Sequence, residues 1–372
     1  MTPIFLLMLF PLLTVIVMKV WRSEQFSWLE AGTQIVLSLI CISALYMGGK
    51  YMEMTSVEYW TGTVTGKDYD DGHYTTSYCC STDSKGNCTQ TCYTDHYTRS
   101  WYLTSTIGTI ETSDIDTTSS LRRNAFSSDA YWNGAYNGEA CSRTNAYLNY
   151  VQAAKFSLHN RSGTNKEYLE AGLLPSYPQI HGIYKLHRVL DLGVGVPQID
   201  GWRLALDEHM KTLGGLKQIN IFVVFVPTTN PSYTAALEAH WRGANKNDTI
   251  VVVGVDKGTK TIGMIDVITW AKSAKYKVNL IGELSKIKTL DDQTFNPFLN
   301  TVRNITMDDY DRRPMEEFIK LKHEIDPPFW ILVLCLIFAV PGSLGLALLF
   351  DRIDLDAKVF GRSSNKFSRF RR

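Results

Sequence analysis

The feature that most constrains this chain is an uncharged apolar run near its carboxyl end, PPFWILVLCLIFAVPGSLGLALLF at residues 327–350. At a rise of about 1.5 Å per residue, a helix of this length crosses a hydrocarbon core of about 30 Å. The run therefore predicts a transmembrane helix. The remaining segments then have to be assigned to one side of a membrane or the other.

Two further apolar runs lie at the amino end, IFLLMLFPLLTVIVM at residues 4–18 and AGTQIVLSLICISALYMGG at residues 31–49. The first is short enough to be the core of a signal peptide. Its basic residues Lys19 and Arg22 follow the run instead of preceding it, however, and no small-residue cleavage site comes next. A two-span transmembrane hairpin over residues 1–49 is therefore favoured over a cleaved signal.

Lysine and arginine near the spans predict the orientation. Lys19 and Arg22 lie between the first two runs, and the tail at 351–372 ends in six basic residues with no acid among them. The positive-inside rule places both segments in the cytoplasm, and the amino terminus and residues 50–326 in the periplasm. The tail is expected to bind anionic lipid headgroups, and the net charge of +1 gives no reason to expect nucleic acid. The six residues are Lys358, Arg362, Lys366, Arg369, Arg371 and Arg372.

Five cysteines fall in the exported region: Cys79, Cys80, Cys88, Cys92 and Cys141. Four of them are clustered in YCCSTDSKGNCTQTC, close to two histidines. Zinc is one interpretation, although zinc sites usually have two residues between paired cysteines. Disulfides suit an oxidising compartment better, with a connectivity that the sequence leaves open. Cys141 is expected to join them or to pair between chains.

Residues 50–199 are expected to form a β-rich region that carries these cysteines. VEYWTGTVTG and RSWYLTSTIGTIETS have the composition of antiparallel strands. The polar segment KDYDDGHYTTSY between them predicts a solvated turn around its aspartates. Apolar spacing predicts a helix at about residues 145–158. His181 and His187 receive no chemical role.

Residues 200–312 show a clearer α/β pattern. GWRLALDEHMKTLGGL reads as an amphipathic helix that ends at Gly214 and Gly215. QINIFVVFV at 218–226 is a continuous apolar strand, and PSYTAALEAHWRG is a second helix. TIVVVGVD and KTIGMIDVI follow as strands. Residues 313–326 predict a juxtamembrane helix, so the whole is an integral membrane protein with an α+β ectodomain.

Residues 202–302 resemble the TPM-domain family in the order of their elements. The resemblance is carried by Gln218-Ile219-Asn220-Ile221 opening a strand, by Trp241-Arg242-Gly243, and by Lys246-Asn247-Asp248-Thr249 before the next strand. It implies a TPM-like α/β sandwich, a divalent-cation site such as one for calcium, and an acid phosphatase activity. The family's glycine-rich segment is missing where GMIDVITW stands, so Asp248 alone falls on a family motif.

Two other aspartates near strand ends, Asp256 and Asp266, complete the candidate metal ligands. A metal-dependent hydrolase needs several carboxylates that converge on one ion. Aspartates at strand ends more often cap helices.

The segments YWTGTV, NYVQAA, ALEAHWRG and KND, together with the cysteine cluster, also resemble membrane proteins of unknown function from large tailed bacteriophages. The sequence lacks a Walker loop, a dinucleotide fingerprint, a zinc-protease motif and a nucleophile elbow. A membrane-anchored binding or scaffold protein of the cell envelope is therefore expected, with another envelope protein or a second copy of the chain as partner. The alternative is a metal-dependent TPM-like hydrolase, and a transport or pore role ranks last.

Overall fold

The structure is a computed structural model that describes residues 3–21, 26–111, 130–154 and 166–353, with the side chains of 71–74 and 94–99 left aside. The helices, in chain order, are α1 (Pro3–Trp21), α2 (Trp28–Met54), α3 (Ala130–Gly134), α4 (Tyr150–Ala153), α5 (Lys166–Glu170), α6 (Ile199–Lys217), α7 (Ser232–His240), α8 (Ala274–Leu284), α9 (Phe295–Asp309), α10 (Phe329–Ile337) and α11 (Ser343–Ile353). The strands are β1 (Thr55–Thr82), β2 (Cys88–Ser105), β3 (Ile110–Glu111), β4 (Ala140–Leu148), β5 (Ile180–His181), β6 (Lys185–Leu186), β7 (Val189–Asp191), β8 (Asn220–Val226), β9 (Asp248–Val255) and β10 (Ile262–Thr269).

The chain divides into two compact units. Unit 1 comprises Met1–Ser56, Leu148–Phe156 and Phe318–Arg372, and unit 2 comprises Val57–Tyr147 and Ser157–Glu317. Unit 1 therefore holds the apolar helices, and unit 2 holds the sheets.

In the described part of unit 1, three helices are long and apolar enough to cross a membrane: Ile4–Trp21, Trp28–Met54 and Phe329–Ile353. The first two form the expected amino-terminal pair. The third is continuous from α10 to α11 through a π-turn at Phe338–Gly342 that contains Pro341. Proline lacks the amide hydrogen that an α-helix uses, and a π-turn accommodates that loss without breaking the helix.

The three apolar helices contact one another through small and polar residues. Gly49 lies against α10, because a Cβ placed there would stand 2.7 Å from Ile331 Cγ2 and 2.8 Å from Pro327 Cβ. Gln34 is buried, and its Nε2 donates to Ser38 Oγ and to the Ser343 carbonyl at a distance of 3.4 Å in each case. The bond to Ser343 joins α2 to α11, and an interhelical hydrogen bond of this kind stabilises an apolar bundle where no water competes.

Unit 2 begins with a sheet of order β3-β2-β1-β4, in which β1 and β2 pair antiparallel from Val64↔Ser105 to Thr82↔Cys88. The strand predictions are confirmed. The expected turn around Asp68 and Asp70 is wrong, because these residues continue β1. The helix expected at 145–158 is also wrong at its start, since β4 runs to Leu148 before the short α4, and residues 155–158 lie outside the described part.

The second sheet has the order β10-β9-β8-β7. β7, β8 and β9 are parallel, and β10 is antiparallel to β9. Every residue of β8 is buried. Alternate residues belong to two cores: Ile221, Val223 and Phe225 face one, and Phe222 and Val224 face the other.

Helices cover both faces of this second sheet. The first core takes side chains from α6, α8 and α9, among them Trp202, Tyr276 and Phe298. The second core takes Tyr233 and Leu237 from α7. The result is three layers, as expected when parallel strands are buried on both sides.

Three boundaries differ from expectation. β7 lies upstream of residue 200 yet pairs with β8, so the second sheet begins before the expected domain limit. α6 passes Gly214 and Gly215 and ends at Lys217, with Gln218 left-handed at φ 51°. The juxtamembrane helix is a 3-10 helix at Met315–His323.

Candidate functional site

An exposed element of unit 2 is the distal part of the β1/β2 pair, residues 68–82 and 88–101, called the ribbon below. β3 pairs only with Tyr102 and Leu103, at its base. Most described side chains of residues 68–82 and 88–93 are exposed. At the usual strand rise, the ribbon is roughly 50 Å long. A two-stranded ribbon of this kind is marginally stable in water unless it is reinforced.

Two disulfides supply that reinforcement near the tip. Cys79 pairs with Cys88 and Cys80 with Cys92, and each pair has Cα atoms 5.6 Å apart. Bridges that close loops this short add about 2 to 3 kcal/mol each in the chain-entropy description. The structure thus selects one connectivity from those that the sequence left open.

The tip itself is a turn centred on Asp83. Its Oδ1 accepts from the amides of Lys85 and Asn87, both over 2.8 Å, and Gly86 takes φ 83°. These hydrogen bonds lower the pKa of Asp83, with the Asn87 amide as the largest cause. A single exposed aspartate therefore orders the turn that joins the two strands.

Cys141 does not join this cluster. It lies on β4 at 1% exposure and is a free cysteine, so the disulfide expected for it is not formed within the chain. Burial raises its pKa to about 11, which keeps the thiol protonated. A buried, protonated thiol is also poorly placed to pair between chains.

Among the described side chains of the ribbon, three tyrosines present large surfaces to solvent: Tyr69, Tyr78 and Tyr93 are 47%, 52% and 71% exposed. Tyr93 is paired with Ser77 and Tyr78 with Cys92, so the two rings lie on opposite faces. Exposed tyrosines combine apolar area with a hydroxyl and are enriched in protein interfaces.

A second candidate site is buried at the amino ends of β8 and β9. The Asp248 carboxylate accepts from Tyr177 Oη over 2.6 Å, from Asn220 Nδ2 over 3.0 Å and from the Asn245 amide over 2.9 Å. Burial raises the pKa of Asp248 to about 6, although these three hydrogen bonds lower it in part. The carboxylate is enclosed by protein donors.

Arg188 extends this buried polar cluster. Its Nε donates to Asn220 Oδ1 over 3.2 Å, and one terminal nitrogen donates to Thr61 and Ser142 over 2.8 and 2.6 Å. The other pairs with Asp207 at 2.5 Å. The guanidinium thereby links β1 and β4 of the first sheet to β8 and α6. Each of these hydrogen-bond and ion-pair partners is a side chain of the protein itself.

The three candidate metal ligands do not converge. Asp248 and Asp256 stand at opposite ends of β9, about 25 Å apart at the usual strand rise. Asp266 lies mid-strand on β10, opposite Val252, and pairs with Lys277 at 3.3 Å. Within the part of the chain that is described, no three His, Cys, Asp or Glu side chains are grouped to hold a metal ion. The structure therefore does not bring the three candidates together, and a divalent-cation site stays a prediction.

Sequence reasoning missed one pair. His181 ends β5 and His187 follows β6, and the turn between the strands brings their rings to a centroid distance of 4.0 Å. A spacing of six residues carries no helical signal. Recognition of the short β5/β6 hairpin was needed to predict this contact.

Comparison with family models, with curated proteins and with solved structures finds no match for this chain. The TPM and bacteriophage resemblances therefore stay predictions. The six basic residues of the tail, Lys358, Arg362, Lys366, Arg369, Arg371 and Arg372, lie outside the described residues.

Proposed function

We propose that this chain is a membrane-anchored binding or scaffold protein of a bacterial cell envelope, encoded by a bacterium or a phage. Its three apolar helices hold it in the bilayer, and its ribbon engages another envelope protein or a second copy of the chain. The amino terminus and unit 2 are extracytoplasmic in this proposal, and the basic tail is cytoplasmic.

The observation that carries the proposal is the disulfide-braced ribbon with exposed tyrosines. Because its side chains are mostly exposed, the ribbon adds no buried core to the protein. An ordered and exposed element of this length is suited to contact with a partner. Bracing reduces the conformational entropy that binding would otherwise cost. The tyrosine rings on both faces offer contact area at a low entropic cost.

The disulfides also support the orientation. Cytosolic thiols are kept reduced, whereas bridges such as Cys79–Cys88 and Cys80–Cys92 persist in the periplasm. This agrees with Lys19 and the basic tail on the cytoplasmic side.

The three-layer sheet of unit 2 supports the TPM-like assignment at the level of its element order. The hydrolase alternative has less support. Asp248 is enclosed by Tyr177, Asn220 and Asn245, and Asp256 and Asp266 lie elsewhere. A metal-dependent hydrolase would need carboxylates that converge and a route for substrate.

Site-specific photocrosslinking on intact cells tests the binding role. A photoreactive amino acid at Tyr93 of the ribbon is compared with one at Leu204 of α6, which is 72% exposed. We expect discrete adducts from position 93 that are absent from position 204. Equal labelling from both positions, or none from 93, would refute the proposal that the ribbon binds a partner.

A membrane-impermeant thiol reagent tests the orientation. On spheroplasts, the ribbon cysteines should react only after reduction, while Cys141 stays unlabelled until the protein is denatured. Labelling of the ribbon only after cell lysis would invert the topology. A cytoplasmic unit 2 would remove the envelope partner from the proposal.

A further inference from the structure

We propose that His181 and His187 form a two-histidine site for a divalent first-row transition metal. This site is separate from the ribbon and from the Asp248 cluster. Imidazole nitrogen is a preferred ligand for zinc, copper and nickel, and two protein ligands leave the remaining positions to water.

The geometry of the two rings carries the proposal. Their centroids are 4.0 Å apart and their planes are inclined by 31°. With metal–nitrogen bonds of about 2.1 Å, two imidazoles on neighbouring corners of a coordination sphere have centroids about 4.6 to 5.3 Å apart. The two rings therefore have to separate by about 1 Å, and one of them has to rotate until a nitrogen of each ring faces the same ion. His187 is exposed, and its ring is the one that makes this adjustment.

The His181 ring has an unused ligand atom. Its Nδ1 is buried and has no hydrogen-bond partner. A buried polar atom without a partner is unfavourable, so a bond from this nitrogen to a metal ion would remove an existing penalty. His181 also lies on a paired strand, which fixes its backbone against Lys185.

The charges around the pair act in both directions. The positive charge of Lys185 on the same hairpin disfavours a cation at His181, although its Nζ is paired with Glu139. Asp207 of α6 acts in the opposite sense, because its negative charge favours positive charge at His181. Arg188 is already engaged by Asp207 at 2.5 Å.

Neutral imidazole is the form that binds metal, so metal and protons compete for the pair and binding should weaken on acidification.

Copper(II) is the sharpest probe, since it binds nitrogen sites most strongly among the divalent first-row metals. The full chain is purified in detergent without a histidine tag and titrated with Cu²⁺ against a weak chelator. Pulsed electron paramagnetic resonance then counts the imidazole nitrogens on the bound ion. We expect two imidazoles on one ion in the wild type.

His187→Gln and His181→Gln should each leave at most one imidazole and weaken Cu²⁺ binding by about tenfold or more. His209→Gln and His240→Gln are the matched controls and should leave both readouts unchanged. Because His187 is exposed, its variant is expected to fold normally, and a thermal melt checks this. The proposal is overturned if His187→Gln, shown to be folded, retains wild-type affinity and both imidazoles.

Discussion

Gly214 of α6 lies directly against the backbone of Thr61 on β1. A Cβ at position 214 would stand 2.4 Å from the Thr61 carbonyl oxygen and 2.8 Å from Thr61 Cβ. This close approach ties the first sheet of unit 2 to a helix that covers the second. It also explains why a glycine occurs inside α6 and not at its end.

Replacement of Gly214 by alanine should therefore destabilise unit 2. The obstacle is a backbone carbonyl, which cannot move aside as a flexible side chain can, and we expect a loss of about 2 kcal/mol or more. Gly215 has no atom within 4 Å of its Cβ position, so Gly215→Ala should be neutral or stabilise by up to about 1 kcal/mol. Chemical denaturation in detergent, followed by tryptophan fluorescence, compares the two. Equal effects would mean that α6 does not contact β1 at this point.

Gly49 and Gly48 of α2 allow a similar comparison of two alanine variants in unit 1. Gly49→Ala should weaken the contact of α2 with α10 by about 1 to 3 kcal/mol, because the new methyl group meets Pro327 and Ile331. Gly48→Ala meets nothing within 4 Å and serves as the control. Resistance to unfolding by sodium dodecyl sulfate in mixed micelles measures the difference. A Gly49→Ala protein as resistant as Gly48→Ala would contradict the contact.

Asp248 should make stability depend on pH in an unusual direction. Its folded pKa of about 6 is above the usual 3.8, so folding takes up a proton between these values. Stability from this group therefore falls as the pH rises from about 4 to 6, by about 3 kcal/mol, and is flat above. Melting temperatures of wild type and Asp248→Asn across this range isolate the effect.

The difference in melting temperature between wild type and Asp248→Asn should change from about pH 4 to 6 and be constant above that range. Asp256→Asn is the control, because Asp256 is exposed and its pKa is lowered by hydrogen bonds from Thr259. It should retain the fall in stability seen in the wild type. A slope that survives in Asp248→Asn would assign the titration to another group.

Trypsin should cleave the chain at the tip of the ribbon without separating the two resulting fragments. Lys85 is exposed between the two halves of the cysteine cluster, so trypsin should cleave after it. Because Cys79–Cys88 and Cys80–Cys92 both cross the cut, the fragments should separate only after reduction. Gel electrophoresis with and without reductant shows this directly. Separation without reductant would exclude both bridges.

The sequence predicts most of the elements that have a strong apolar pattern. Continuous apolar runs predict the three long helices, β8 and β9. A helix in lipid and a strand covered on both faces have no side that faces water, so their residues are mostly apolar. The cysteine cluster likewise predicts local bridges. In each case neighbouring residues carry the signal by themselves.

The sequence does not predict features that depend on distant partners. Asp68 and Asp70 favour a turn locally, yet β1 continues through them because β2 pairs with it along its length. Residues 145–148 have helical spacing, and pairing in the first sheet overrides it. The Asp248 cluster needs Tyr177 and Asn220, which no motif connects to it. His181 and His187 meet only through the β5/β6 hairpin.

The two buried faces of β8 leave a question of register that hydrophobicity cannot answer. A slip of one residue past β9 would exchange the side chains of the two cores, and both faces would still be apolar. Asn220 and Asp248 break this degeneracy, because they are directly paired at the start of the strands and hydrogen-bond over 3.0 Å. A slipped sheet would bury the Asp248 carboxylate beside a hydrocarbon side chain. The least apolar residues of the strands thus select a single alignment for the most apolar ones.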